Sequence, residues 1–210
     1  MTIIYYTSNQ EKTEFEEKIR QNILKQTNLP IISVSQKPID FGENICVGDV
    51  GVSGFNVCRQ SLIACEAATT EFIITAEADT LYPPDYFTFK PERNDICYRN
   101  TNLYVMGRRR NYYYKKPGGA LHSQVIGRKY YIKRLKELFK DAPQWNVEEK
   151  NFPKERGKKL FNEFEYFETE NPVVQIKTGQ GMRHYTHSDR TPIYEISYWG
   201  KGKKLRKEYL

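Results

Sequence analysis

Glu71-Phe72-Ile73-Ile74-Thr75-Ala76-Glu77-Ala78-Asp79-Thr80-Leu81-Tyr82-Pro83-Pro84-Asp85-Tyr86-Phe87 joins a short apolar run to two carboxylates one residue apart, then to a Pro-Pro stop. Phe72-Ile73-Ile74 has the β-branched and aromatic character of a buried strand. Tyr82-Pro83-Pro84 cannot continue a sheet ladder, so the chain must turn there. Along an extended chain Glu77 and Asp79 point to the same side. Two acids side by side repel unless a cation or a proton lies between them. The sharp reading is a divalent metal at the carboxyl end of a central strand. The bland one is a solvated acidic turn.

Working outward, Thr2 to Thr7 is strand-like and ends in the polar turn Thr7-Ser8-Asn9. Glu11 to Gln26 follows as an amphipathic helix with Phe15, Ile19, Ile23 and Leu24 on one face. It stops near Asn28-Leu29-Pro30, and Ile31 to Ser35 reads as a second strand. Strand, helix, strand makes a βαβ unit with a right-handed crossover. The glycine-rich stretch Gln36 to Gly54 reads as loop, and Asn56 to Thr69 as a helix feeding the strand that ends at Glu77. This alternation predicts an α/β fold with an open sheet, in one domain. Ligands of such sheets bind beyond the carboxyl ends of the strands. In the second half, 95–98 and 103–106 look like strands, the two forming a hairpin. Val125 to Lys140 reads as strand then helix, and 173–176 as a late strand.

Hydrophobic residues at 39% and charged residues at 28% are ordinary for a soluble globular protein. No apolar run is long enough to span a bilayer, and Met1 to Tyr6 has no signal-peptide pattern. Cys46, Cys58, Cys65 and Cys97 show no CxxC spacing and read as reduced thiols, which predicts a cytoplasmic protein (host cytoplasm if viral). The net charge of +7 gathers in Arg108-Arg109-Arg110, Lys115-Lys116, Arg128-Lys129, Lys133-Arg134 and the tail from Lys201 to Lys207. With Tyr112-Tyr113-Tyr114 beside the arginines, a polyanionic partner fits, and so does a merely solvated basic face.

Three constellations bear chemistry besides Glu77 and Asp79. His184 follows Gly179, Gly181 and Arg183, which suits close backbone approach and an anion contact. With the carboxylate pair, His184 makes a ligand set for Mn²⁺ or Mg²⁺, whereas His187 reads as a surface residue. His122, after Gly118-Gly119, reads equally as a loop histidine or a substrate contact. Glu148 and Glu149 beside Trp145 read as a general base or as a solvated loop. A P-loop, a G-x-S-x-G and a zinc-type cysteine pattern are all missing, and Gly48 to Gly54 is not a G-x-G-x-x-G.

Three elements together resemble the GT-A glycosyltransferases, in particular the family-2-like inverting group. They are Ile3-Ile4-Tyr5-Tyr6-Thr7, the helix start Gly54-Phe55-Asn56-Val57-Cys58-Arg59-Gln60, and Phe72 to Asp79, where the family has its strand and D-x-D. Glu77 stands where the first Asp is usual. The resemblance covers residues 2–90 well and 95–187 loosely. It implies a GT-A-like, Rossmann-type open mixed sheet flanked by helices, with a nucleotide-sugar half (1–92) and an acceptor half carrying the basic tail (93–210). It implies a UDP-sugar donor and a metal that offsets charge on the departing diphosphate. Asp79 and His184 would hold that metal. Glu77 would serve it or the donor ribose, and Arg59 and Arg183 the donor. Thr7, Ser8 and Asn9, with Ser35, Gln36 and Lys37, match nucleoside-binding positions, Gln36 replacing a frequent Asp. Glu148 and Glu149 match the base that deprotonates the acceptor hydroxyl, and Gly118 to His122 would shape the acceptor side. A modified DNA base is one acceptor, a saccharide the other. A non-catalytic basic nucleic-acid-binding protein is the rival reading; it accounts for the charge but not for acids at strand ends.

Overall fold

The computed structural model describes residues 1–179 and 191–210. In chain order its elements are β1 (Thr2–Thr7), α1 (Thr13–Gln26), β2 (Ile31–Ser35), β3 (Glu43–Cys46), α2 (Gly54–Ala67), β4 (Phe72–Glu77) and β5 (Thr80–Leu81). Then come β6 (Cys97–Asn100), β7 (Leu103–Gly107), β8 (Tyr113–Lys115), β9 (Gln124–Gly127), α3 (Arg128–Leu138), β10 (Phe164–Phe167) and β11 (Val173–Lys177). β12 (Glu195–Ile196), β13 (Gly200–Lys201) and α4 (Gly202–Tyr209) end the chain.

The main sheet runs β10-β6-β9-β4-β1-β2-β3. β1 pairs in parallel with β2 and β4, and β9 lies antiparallel to β4 and β6, so the sheet is mixed. β1 is buried on both faces, and alternation divides its side chains. Ile3 and Tyr5 pack with Phe15, Ile19 and Ile23 of α1. Ile4 packs with Phe55 and Leu62 of α2 and Leu135 of α3. A second sheet, β5-β11-β7-β8, sits over the α1 side, its Leu81, Val174 and Met106 sharing the core with Ile3 and Tyr5.

Several expectations change. The 95–106 hairpin does not form: β6 belongs to the main sheet, while β7 pairs with β11 and β8 in the second. Asn100 holds the crossing, its Oδ1 accepting from the backbone N–H of Asn102 and of Thr169. The chain after Asp79 does not turn at once; β5 first pairs antiparallel with β11. The 36–54 loop contains the half-exposed edge strand β3, and the basic tail contains α4. That tail docks closely: Gly202 donates to the Tyr194 carbonyl at 2.9 Å, and a Cβ there would stand 2.8 Å from the Asn111 carbonyl oxygen. Two basic runs distant in sequence thereby meet on one surface. None of the four cysteines is in a disulfide, and Cys58, Cys65 and Cys97 are buried. Among the described residues no helix is long and apolar enough to cross a membrane.

Candidate active site

The parallel strands β1 and β4 and the chain leaving β2 end on one side of the main sheet, where a cavity of about 550 Å³ opens. Thr7, Ser8 and Gln36 line it from the strand-end loops, and Glu77 and Asp79 from the end of β4. The N-terminus of α2 forms part of the wall. Ser53 caps this helix by accepting from the Asn56 N–H at 3.0 Å. Asn56 and Gln60 then use their amides on neighbouring loops. Asn56 donates to the Val50 carbonyl at 2.7 Å, and Gln60 to that of Thr7 at 2.9 Å.

The other residues expected on the nucleoside side make contacts within the protein or face solvent. Asn9, with φ of 53°, accepts from the N–H groups of Gln36 and Lys37 at 2.9 Å each, tying the loop after β1 to that after β2. Ser35 is buried in a hydrogen-bond cluster with Asn44, and the Lys37 side chain is exposed. Thr7 donates to Glu16 of α1 at 2.9 Å. Glu16 is almost fully enclosed, and burial pushes its carboxyl from the ordinary 4.5 up to about 7, against the pull of Thr7 and Arg20. A raised folded-state pKa means stability that is complete below pH 4.5 and lost as pH rises through 7. At about 1.4 kcal/mol per pKa unit the loss is on the order of 3 kcal/mol. Glu16→Gln, which still accepts from Thr7, is expected to remove that decline. Urea melts at pH 5 and pH 8 check it; wild-type and variant curves that shift in parallel would refute it.

Glu77 and Asp79 have different surroundings. Tyr6 donates to Glu77 Oε1 at 3.1 Å, and the Glu77 N–H donates to the Tyr82 hydroxyl, which donates on to the His122 carbonyl at 2.7 Å. Burial, with the Asp79 charge behind it, pushes the Glu77 carboxyl up. His122 lies 3.9 Å from Glu77 through Nδ1. Burial, then Lys116 and Lys177, hold this imidazole well below its usual pKa, so the contact is not an ion pair. Asp79 is held by β11: its carbonyl accepts from the Ile176 N–H at 2.7 Å. Its carboxylate accepts from Gln175 Nε2 at 3.2 Å on both oxygens and from Lys177 Nζ at 3.1 Å.

Among the described residues, Glu77 and Asp79 do not make a divalent-cation site. A metal needs open oxygen lone pairs, and those of Asp79 face an ammonium and an amide. Among the described residues no group of three or more His, Cys, Asp or Glu side chains is placed to hold one. His184, His187 and Arg183 lie outside the described residues.

Arg59 and the Glu148/Glu149 pair do not line the cavity. Arg59 donates to the carbonyls of Pro143 and Gln144 and covers the Phe139 ring at 3.7 Å, stapling α2 to the loop after α3. Glu149 accepts two parallel bonds from Arg156, at 2.8 and 2.6 Å, and one from Asn146 at 3.0 Å. The Arg156 hydrogen bond holds its carboxyl below the usual range. Glu148 is exposed, in the segment that runs to Phe152, which does line the cavity. Sequence reasoning missed Lys177, Gln175, Lys116, Arg99 and Tyr6 as lining groups. The one sequence signal for Lys177 was a cation at the end of a late strand.

No protein-family model matches the chain, and no curated protein matches it. Solved structures do. The inositol-1-phosphate CTP transferase of T. maritima superposes with TM-score 0.50 and 10% identity, over 84% of this chain and 89% of that one. The glycosyltransferase GlyE of Streptococcus pneumoniae TIGR4 superposes with TM-score 0.50 and 12% identity, over 80% of this chain and 45% of that one. S. aureus TarS 1-349 in complex with UDP-GlcNAc follows at TM-score 0.48 and 12% identity, over 89% of this chain. The chain spans 59% of that TarS chain and 36% of the longer TarS structure. A seven-stranded mixed sheet flanked by helices, shared with nucleotide and sugar transferases, is the GT-A-like fold.

Proposed function

We propose that the protein is a glycosyltransferase that takes a sugar from a nucleotide-sugar, a UDP-sugar by preference, to a hydroxyl acceptor with inversion. The observation that carries this reading is the cavity at the strand ends, with polar loop residues at one part and Glu77, Asp79, Lys177 and Lys116 at another. That division suits a nucleoside beside a diphosphate. The likeness to a glycosyltransferase at TM-score 0.50 supports it. In the reaction the acceptor oxygen bonds to the anomeric carbon as the bond to the diphosphate oxygen breaks. The electron pair leaves on UDP, and the acceptor proton goes to Glu148, the carboxylate of the Glu148/Glu149 pair that Arg156 does not hold.

The acceptor we propose is polyanionic, with modified duplex DNA first to be tried. Support comes from the exposed Arg108, Arg109 and Arg110 meeting the exposed Lys201, Lys203 and Lys204. This basic surface starts at the site, since the Arg108 N–H donates to the Lys177 carbonyl at 2.8 Å. A second reading, nucleotidyl transfer, is favoured by the match to 89% of a CTP transferase.

Products separate the readings. UDP released from UDP-glucose or UDP-N-acetylglucosamine, with and without Mn²⁺, supports sugar transfer. Pyrophosphate released from CTP or UTP with a sugar phosphate supports nucleotidyl transfer. If neither product forms, yet duplex DNA binds with a steep salt dependence, the chain is a binding protein. Label passing from UDP-sugar to a saccharide and not to DNA refutes the DNA acceptor.

A further inference from the structure

We infer that the donor diphosphate is held by Lys177 and Lys116, with no divalent ion bridging it to Asp79. This rests on the nucleotide-sugar reading and states how that site meets its anion.

Lys177 is not a chance visitor. Alternation along β11 puts Gln175 and Lys177 on one face. Pairing of β11 with β5 and the Ile176–Asp79 backbone bond bring that face to Asp79. Gln175 then fixes the carboxylate plane, and Lys177 stands 3.1 Å from Oδ2. The pair is largely but not wholly covered, with side-chain exposures of 23% for Lys177 and 14% for Asp79. Both reach the cavity. A metal on Asp79 would sit about 2 Å from its oxygen, close beside an ammonium whose charge it shares.

Lys116 lines the same cavity and ends the strap after β8, its backbone N–H bound to the Leu103 carbonyl at 2.8 Å. Arg99 lines it too, its buried Nε finding no hydrogen-bond partner among the described residues. The acids facing this cavity are Glu11, Glu16, Glu77 and Asp79. Of these, Glu11 is engaged by Thr178, Glu16 by Thr7 and Arg20, and Glu77 by Tyr6. Lys177 is therefore stored on Asp79. An arriving diphosphate carries more charge than one carboxylate and offers several acceptor oxygens, so the flexible ammonium turns to it. Until then Asp79 occupies the ammonium as a placeholder anion and competes with the diphosphate for it.

Calorimetric titration with UDP, CDP, GDP and ADP tests this, in EDTA and in MnCl₂. The diphosphate that binds is expected to bind in EDTA within about threefold of its affinity in Mn²⁺. Lys177→Met is expected to weaken it about 10- to 100-fold, the loss of a charge-assisted contact, and to weaken the matching monophosphate less. Asp79→Asn frees Lys177 and keeps the Gln175 contact, so in EDTA it is expected to bind the diphosphate at least as tightly as wild type. Binding that requires Mn²⁺ and vanishes in Asp79→Asn overturns the inference and leaves the donor reading standing. Should no nucleoside diphosphate bind under either condition, both fall. If Lys177→Met does not fold, wild type and Asp79→Asn in EDTA decide alone.

Discussion

Glu148→Gln is expected to lower the rate of sugar transfer about 100- to 10,000-fold, the usual worth of a general base, with nucleoside diphosphate affinity unchanged. The amide keeps the shape of the side chain and cannot take the acceptor proton. Folding should be untouched, because the carboxylate is exposed and the residue bonds through its backbone, the N–H donating to Asn146 Oδ1 at 2.8 Å and the carbonyl accepting from the Lys150 N–H at 2.8 Å. Glu149→Gln should behave differently. It weakens the double contact with Arg156, and so shifts the 149–156 segment without removing a base. Initial rates at saturating UDP-sugar, with UDP affinity measured in parallel, separate the two variants. A Glu148→Gln enzyme that keeps its rate within about threefold would move the base elsewhere, to an acid that lines the cavity itself such as Glu77.

Phe55→Ala is expected to cost about 3–5 kcal/mol, among the largest losses a single truncation produces. Phe55 is fully buried at the start of α2, with the rings of Phe139 and Phe152 each 4.9 Å from its own. Arg59 and Arg156 each place a guanidinium 5.5 Å from its ring centroid. The aromatic cluster cannot close over the missing ring without moving α2 or the 143–152 loop. A fall of about 10 °C in midpoint is expected for a chain of this size. Phe152 also lines the cavity, so the folded fraction should show a raised KM. A loss under about 1 kcal/mol in urea melts would show that the cluster relaxes freely, contrary to its close packing.

What could be read from the sequence depended on period. β1, α1, β2, α2 and β4 announced themselves because their apolar residues recur at two or at three to four, and they form the half of the sheet nearest Asp79. Strand β3 was hidden because Glu43-Asn44-Ile45-Cys46 lies at an edge, half exposed, where no apolar run is needed. The 95–106 hairpin was misread because two short apolar runs a few residues apart carry no mark of changing sheets; that mark is Asn100 meeting Thr169. At the site, Glu77 and Asp79 could be named, but their partners could not. Lys177 is distant in sequence and arrives through a two-residue strand, β5, held only by tertiary pairing. The protein contacts of Asn9 and Arg59 were out of reach for a similar reason: polar side chains on strand-end loops and helix starts serve backbone groups as readily as ligands.

Between Glu77, the last residue of a strand in the main sheet, and Thr80, the first in the second sheet, the chain passes through Asp79. The cavity is thus a seam between two sheets, with Thr7 and Glu77 riding on the main one and Lys177 and Lys116 on the second. A ligand touching both acts as a rivet: the free energy of binding is also free energy of sheet docking. Sliding the second sheet by even one ångström would change the Glu77–Lys177 gap before any loop moved. Substitutions deep in that interface, at Leu81 or Met106 and far from any nucleotide, would therefore be felt as losses of affinity.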